Sequence, residues 1–73
     1  MHSPTIATIV ALVRQAGPGG ITAQEVAGAA GLGFVAVDKA LGLQIEAGLI
    51  SSEELWDGEQ YVGTVYRMRE GAK

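Results

Sequence analysis

The chain lacks the residues that most often build covalent cross-links, metal centres and membrane anchors. Its 73 residues include no cysteine and a single histidine, which excludes disulfides and thiolate metal sites from this chain. That histidine, His2, has no ligand partner at helical spacing, and we expect it to lie in a frayed tail. No apolar run approaches the ~20 residues of a membrane span, and no signal peptide is recognisable. We therefore expect residues 1–73 to form one intracellular domain, nuclear or cytoplasmic, held together by packing, without a cofactor and without a membrane partner.

Basic residues are also scarce. Five Lys and Arg stand against eight Asp and Glu, which gives a formal net charge of −3. Non-specific affinity for DNA comes mainly from basic side chains that displace counterions from phosphates. The charge balance thus argues against a partner that is itself a polyanion.

What is present is the pattern of three helices. Ser3 as N-cap and Pro4 at the first helical position predict the start of the first helix, which ends at the loop 17–20. A second helix, about 23–30, follows a capping box formed by Thr22 and Glu25. The first helix carries one apolar stripe at helical spacing, Ile6, Ile9, Val10 and Val13, and the second is predicted to direct Val26, Ala27 and Ala30 inward.

The third helix is predicted from residue 34 to about 47, closed by Gly48 in a left-handed conformation. Helical spacing sorts its side chains into two faces. The predicted buried face holds Phe34, Val37, Ala40, Leu41 and Ile45. The predicted outer face holds Val35, Ala36, Lys39, Gly42, Leu43 and Glu46.

After Gly48 the period changes to that of strands. Segments 49–56 and 60–68 flank Asp57-Gly58, a dipeptide that favours a tight hairpin turn. With that turn, Trp56 would face Glu59, Glu54 would face Tyr61 and Ile50 would face Val65. A one-residue strand is expected at Ile21. Three helices followed by a β-hairpin, with a strand signal between the first two, is the element order of an α+β winged helix-turn-helix domain, which the stretch 21–50 resembles.

Catalysis finds no support in the residues. Glu53, Glu54, Asp57 and Glu59 lie around the predicted hairpin turn, which supplies neither the burial nor the pocket that acid-base catalysis requires. The glycine-rich loop 17–20 is not followed by the lysine and serine or threonine of a phosphate-binding loop. We expect a protein that is not an enzyme.

A small DNA-binding transcription regulator is the first alternative to weigh. A third helix in the major groove needs side chains that reach base edges, and here Lys39 is the one candidate reader. Arg67 and Arg69 share one side of the returning strand and would add a few phosphate contacts. Such a regulator would need to dimerise to multiply these contacts over two half-sites.

A protein-docking module fits the residues better. The outer face of the third helix offers the apolar Val35 and Leu43. Trp56 and Tyr61 stand among hairpin acids, a combination that suits a basic amphipathic helix of a partner. Packing of these two aromatic residues onto the domain's own core is the alternative.

The chain also resembles a known family, the C-terminal winged-helix domain of the middle subunit of replication protein A. The resemblance runs from "IVALVRQAGPGGITAQEV" through "VDKALGLQIEAGLI" to "DGEQYVGT". It implies a module that captures basic helical segments of replication and repair proteins, with docking residues Glu53, Glu54, Asp57, Glu59 and Tyr61. The chain departs from the family at Ser51, where a tyrosine is usual, and in a hairpin longer by residues 53–56.

Two other winged-helix groups bear on the interpretation. Membrane-sorting ESCRT complexes use acidic or neutral winged helices that bind only protein, which the exposed apolar residues of the third helix would suit. Binders of left-handed nucleic acid of the Z-alpha type place asparagine and tyrosine on the third helix, and neither occurs in residues 34–47. Self-association through the first helix stays open, as does the oligomeric state.

Overall fold

Three helices and a three-stranded antiparallel sheet make up the fold. The structure, a computed structural model, describes residues 4–69. In chain order these form α1 (Pro4–Ala16), a 3₁₀ helix (Gly17–Gly19), β1 (Ile21–Thr22), α2 (Ala23–Ala30), α3 (Phe34–Glu46), β2 (Ile50–Asp57) and β3 (Gln60–Met68). The strands pair in the order β1-β3-β2. The predicted α+β class is confirmed, while the N-cap predicted at Ser3 lies outside the described residues.

The helix ends follow their local sequence. The Thr22 N–H donates to Glu25 Oε1 at 3.2 Å and the Glu25 N–H donates to Thr22 Oγ1 at 3.1 Å, so the capping box is confirmed. At the end of α3, Gly48 has a φ of 82°. Its N–H donates to the Ile45 carbonyl, and the Leu49 N–H donates to the Gln44 carbonyl. This pair of bonds is a Schellman motif, and it turns the chain directly from α3 into β2.

The core lies between the three helices and the base of the hairpin. Its buried side chains are Ile9, Val13, Ala23, Val26, Val37, Ala40, Leu41 and Ile50. The predicted burial of Phe34 and Ile45 is wrong, since they are 51% and 37% exposed. Helix α3 meets the core through its middle turns, and these two residues belong to its first and last turns. The apolar positions at both ends of α3 are therefore surface.

The hairpin register also differs from the prediction. The turn centres on Gly58 and Glu59, so Asp57 pairs with Gln60 and Trp56 with Tyr61. Only Gly58 of these residues has a positive φ, which fits a turn that needs glycine at its first central position alone. A bulge between Leu55 and Trp56 then shifts the lower pairs, to Glu54 opposite Thr64 and Ile50 opposite Met68. The predicted pairs of Trp56 with Glu59, Glu54 with Tyr61 and Ile50 with Val65 are wrong.

The observed register decides which side chains share a face. Because side chains alternate along a strand, the inner face of the hairpin, continuous with buried Ile50, carries Glu54, Trp56, Tyr61, Thr64 and Tyr66. The outer face carries Glu53, Leu55, Asp57, Val65 and Arg67. The strand predicted at Ile21 extends to Thr22, and these two residues pair with Tyr66 and Val65 of β3.

Candidate functional site

The two aromatic side chains near the turn pack on each other rather than into the core. The ring centroids of Trp56 and Tyr61 lie 5.5 Å apart at an interplanar angle of 69°, an edge-to-face contact. The two side chains are 56% and 49% exposed. The Tyr61 hydroxyl is hydrogen-bonded to Thr64 Oγ1, which holds the ring along β3. We call this exposed aromatic pair, with Val62 next to Tyr61 in the chain, the hairpin tip; Leu55 is exposed on the opposite, outer face of the hairpin.

Acidic side chains surround the hairpin tip, and one of them is engaged. Glu53 Oε1 accepts a hydrogen bond from Arg67 Nη1 at 2.7 Å on the outer face. Within residues 4–69, no ion pair involves the exposed Glu54, Asp57 or Glu59. Three carboxylates around the tip thus carry charge that no basic side chain of the described chain neutralises.

The outer face of α3 is exposed and carries two large apolar side chains. Val35 is 81% exposed and Leu43 is 49% exposed, and the other predicted outer residues, Ala36, Lys39, Gly42 and Glu46, are exposed as well. A Cβ placed on Gly42 would meet nothing within 4 Å, so no contact within the described fold requires glycine there. Phe34 adds a large ring that the sequence pattern assigned to the core.

The three basic residues considered for nucleic-acid contact lie in different surroundings. Lys39 is exposed on α3. Arg67 is bound to Glu53, and its Nε is buried without a hydrogen-bond partner in the described part of the chain. Arg69 Nη1 lies 3.3 Å from the position that a Cβ on Gly48 would take. One of the three guanidinium or ammonium groups is therefore already engaged by a carboxylate.

A cleft between the hairpin and the helices was not foreseen. It has a volume of about 470 Å³, and its walls come from the start of α2, the first turns of α3 and one edge of β3. It lies beyond the end of β1, which is only two residues long. Strand β3 runs on past Thr22, and the space between its residues 61–64 and the helices stays open. The side chains that matter to its chemistry are Gln24, Phe34, Asp38, Tyr61, Thr64 and Tyr66.

The electrostatics of the cleft centre on Asp38 and Tyr66. Burial raises the pKa of the Tyr66 hydroxyl above its ordinary 10.0, and the negative charge of Asp38 and then Tyr61 raise it further. Within the described residues 4–69, the Asp38 carboxylate makes no ion pair. The sequence pattern assigned Asp38 to no candidate site. Its spacing of four from Phe34 does place both on one side of α3, but the opposite wall depends on the hairpin register.

A second groove lies along α1. It has a volume of about 510 Å³ and is lined mainly by apolar residues of α1, with Leu49 and Gln44 at its far wall. Ile6 and Val10 form part of its floor. This is the surface that self-association through the first helix would use.

The part of the chain that the structure describes holds neither a three-residue group of metal ligands nor a single helix of membrane-spanning length and apolarity. No three His, Cys, Asp or Glu residues of 4–69 group so as to hold a metal ion, and His2 lies outside that range. Over the same range no single helix is long and apolar enough to cross a membrane. The helices α2 and α3 reach the length and apolarity together, with a bend of 116° between them.

Comparison with known proteins identifies no family for this chain, since neither a family model nor a curated protein matches it. Function is therefore inferred from the geometry and charge of its own residues.

Proposed function

We propose that the chain is a winged-helix interaction module, with the β-hairpin as the wing, that docks a basic or amphipathic helical segment of another protein. The docking surface comprises the hairpin tip, its acids and the outer face of α3. The order of helices and strands supports the winged-helix assignment, as does the resemblance to the middle subunit of replication protein A. By that resemblance the partner belongs to a replication, repair or other macromolecular complex.

The observation that carries the proposal is the exposed pair of Trp56 and Tyr61 among unpaired carboxylates. Exposed aromatic rings dominate the energetics of protein interfaces when a partner covers them. Covering them also removes apolar area from water, at about 25 cal/mol per Å². Glu54, Asp57 and Glu59 add a negative rim that steers a basic segment toward the tip and disfavours acidic ones.

The outer face of α3 extends the surface. Val35 and Leu43 offer further apolar area to the hydrophobic side of an amphipathic helix. We infer a function by binding alone, without catalysis and without a cofactor. The alternative, a dimeric DNA-binding regulator, would rest on Lys39, Arg67 and Arg69, and the engagement of Arg67 by Glu53 weakens that basic set.

One pair of titrations tests the proposal. Trp56 is the single tryptophan of the chain, so its fluorescence reports directly on the hairpin tip. The first probe is a designed amphipathic peptide with leucine on one face and lysine and arginine on the other. Its control is the same peptide with glutamate in place of the basic residues. We expect a blue shift with the basic peptide only, because the peptide shields the indole from water.

The second probe is a labelled random-sequence DNA duplex, titrated at low and at physiological salt. The docking proposal expects no binding at physiological salt. Micromolar or tighter binding with a steep salt dependence would instead support the regulator, and would overturn the proposal if the basic peptide left Trp56 unchanged.

Matched variants then locate the surface. The double variant Asp57→Asn with Glu59→Gln removes two negative charges from the hairpin, and we expect it to bind the basic peptide more weakly. The double variant Ala11→Lys with Gln15→Lys changes the net charge by the same amount on the exposed side of α1. Equal weakening by both pairs would show that only net charge matters, which contradicts docking at the hairpin.

A further inference from the structure

We propose that the cleft between β3 and the first turns of α2 and α3 receives an arginine side chain of the docked segment, with Asp38 as its counter-ion. The rings of Phe34, Tyr61 and Tyr66 form the walls against which the guanidinium stacks. This inference rests on the proposed function, because it names the side chain that the docked partner must supply.

The walls and the volume of the cleft suit such a side chain. Three aromatic residues and one carboxylate line a space of about 470 Å³, which lies in the range of small-ligand sites. A cation over an aromatic face is attracted by the ring quadrupole, and arginine stacks on such faces more readily than lysine does. Phe34 is half exposed at the rim, so a ring is presented to an incoming side chain.

The side chains that line the cleft include a negative charge and no positive one, which favours a cationic side chain in the cleft. No lysine or arginine lines it, and within residues 4–69 Asp38 has no ion-pair partner. The negative charge that helps raise the pKa of the Tyr66 hydroxyl equally favours a cation in the same space. The side chains of Gln24 and Thr64 offer further oxygen acceptors for the planar fork of guanidinium N–H donors.

The location of the cleft links it to the docking surface. Tyr61 contacts Trp56 at the hairpin tip and also lines the cleft. Because Tyr61 belongs to both, a segment docked at the hairpin tip lies next to the cleft, which is then within reach of a long basic side chain.

The test uses a probe that does not depend on docking at the tip. The whole chain, isotope-labelled, is titrated with N-acetyl-arginine amide and, separately, with the citrulline counterpart, which has the same shape and no charge. We expect arginine amide to shift the NMR resonances of Phe34, Asp38 and Tyr66, and citrulline amide to leave them in place. Absent shifts, or equal shifts with citrulline, would overturn the assignment.

Variants separate the cleft from the general acidity of the chain. Asp38→Asn is expected to lower the affinity for arginine amide on the order of tenfold, the effect of losing a charge-assisted hydrogen bond. Gln15→Lys makes the same change of net charge on the exposed side of α1, away from the hairpin and the cleft, and should leave that affinity unchanged. Phe34→Leu keeps an apolar side chain without the aromatic face and is expected to weaken binding as well. Unchanged affinity in Asp38→Asn, with a native amide spectrum, contradicts the proposal.

The outcome is distinguishable from that of the proposed function. Binding of the basic peptide at Trp56 without arginine binding in the cleft would remove this inference alone. Arginine binding in the cleft without any effect of the peptide on Trp56 would remove docking at the hairpin tip and leave the cleft as a separate site.

Discussion

Arg67 reaches diagonally across the hairpin to Glu53, with 2.7 Å between its Nη1 and Glu53 Oε1, on the face turned away from the core. The two side chains are 33% and 54% exposed, and ion pairs in such surroundings contribute about 0–1 kcal/mol to stability. We expect Glu53→Gln to lower the free energy of unfolding by less than about 1 kcal/mol in denaturant titrations. Glu54→Gln, on the opposite face and without an ion pair, is the control and should be neutral. A larger loss in Glu53→Gln would show that Arg67, whose Nε is buried, depends on this carboxylate for its position.

The same pair bears on the choice between protein and DNA. Glu53→Gln releases the Arg67 guanidinium and raises the net charge by one. If the chain were a DNA-binding regulator using Arg67, duplex affinity at low salt should rise in this variant, and the salt dependence should steepen. The docking proposal expects duplex binding to stay absent at physiological salt in both proteins. Fluorescence anisotropy of a labelled duplex measures the difference, with Glu54→Gln as a control of equal charge change that releases no arginine.

Substitution of one buried and one exposed leucine of α3 tests which side of this helix packs into the core. Leu41 is completely buried, whereas Leu43 is 49% exposed. We expect Leu41→Ala to lower the free energy of unfolding by about 2–5 kcal/mol, because it removes buried methyl groups and leaves a cavity. A domain of this size has little stability to lose, so that variant approaches the unfolded state.

Leu43→Ala serves as the matched comparison for Leu41→Ala. It should change the free energy of unfolding by less than about 0.5 kcal/mol and should instead weaken binding of the basic peptide. If Leu43→Ala destabilised the chain as much as Leu41→Ala does, the outer face of α3 would not be a free surface.

Gly42 offers a test that separates stability from binding. A Cβ added to Gly42 in α3, or to Gly28 in α2, would enter open space and meet nothing within 4 Å. Replacing either glycine by alanine should raise the free energy of unfolding by about 0.5–1 kcal/mol, since alanine loses less backbone entropy in a helix. Thermal unfolding followed by circular dichroism measures the gain. If a partner approaches α3 closely at Gly42, Gly42→Ala alone weakens peptide binding, and equal affinity in both variants removes that idea.

The raised pKa of Tyr66 makes a prediction at alkaline pH. A tyrosine whose pKa is higher in the folded than in the unfolded chain keeps a proton that the unfolded chain releases. Its contribution to stability is therefore complete below the ordinary value of 10.0 and is lost as the pH rises through the higher folded value. We expect Tyr66→Phe to reduce this alkaline decline in denaturant titrations.

Asp38→Asn tests the cause of that shift. Because the charge of Asp38 helps to raise the pKa of Tyr66, its removal should lower the midpoint for the Tyr66 ring resonances in an NMR titration. Asp57→Asn is the control with the same charge change. If the titration midpoint of Tyr66 were unchanged in Asp38→Asn, the charge of Asp38 would not influence the Tyr66 hydroxyl in the cleft.

Much of the fold could be predicted because its signals are local. The capping box of Thr22 and Glu25 and the glycine closure of α3 at Gly48 involve residues at most a few positions apart, and both are confirmed. The change of period after Gly48 located the hairpin to within a residue. These features depend on φ and ψ preferences and on hydrogen bonds that form within one turn of chain.

The amino-acid sequence by itself therefore determined the helices, their ends, the presence of a hairpin and the shortage of basic residues. Only the tertiary structure decided the register, because a glycine at the first turn position and a bulge at Leu55 and Trp56 shift every pair below them. That register brings Arg67 to Glu53 and sets Tyr66 near Asp38, residues far apart in the chain. The exposure of Phe34 was likewise decided by how far the core extends along α3, which helical periodicity does not encode.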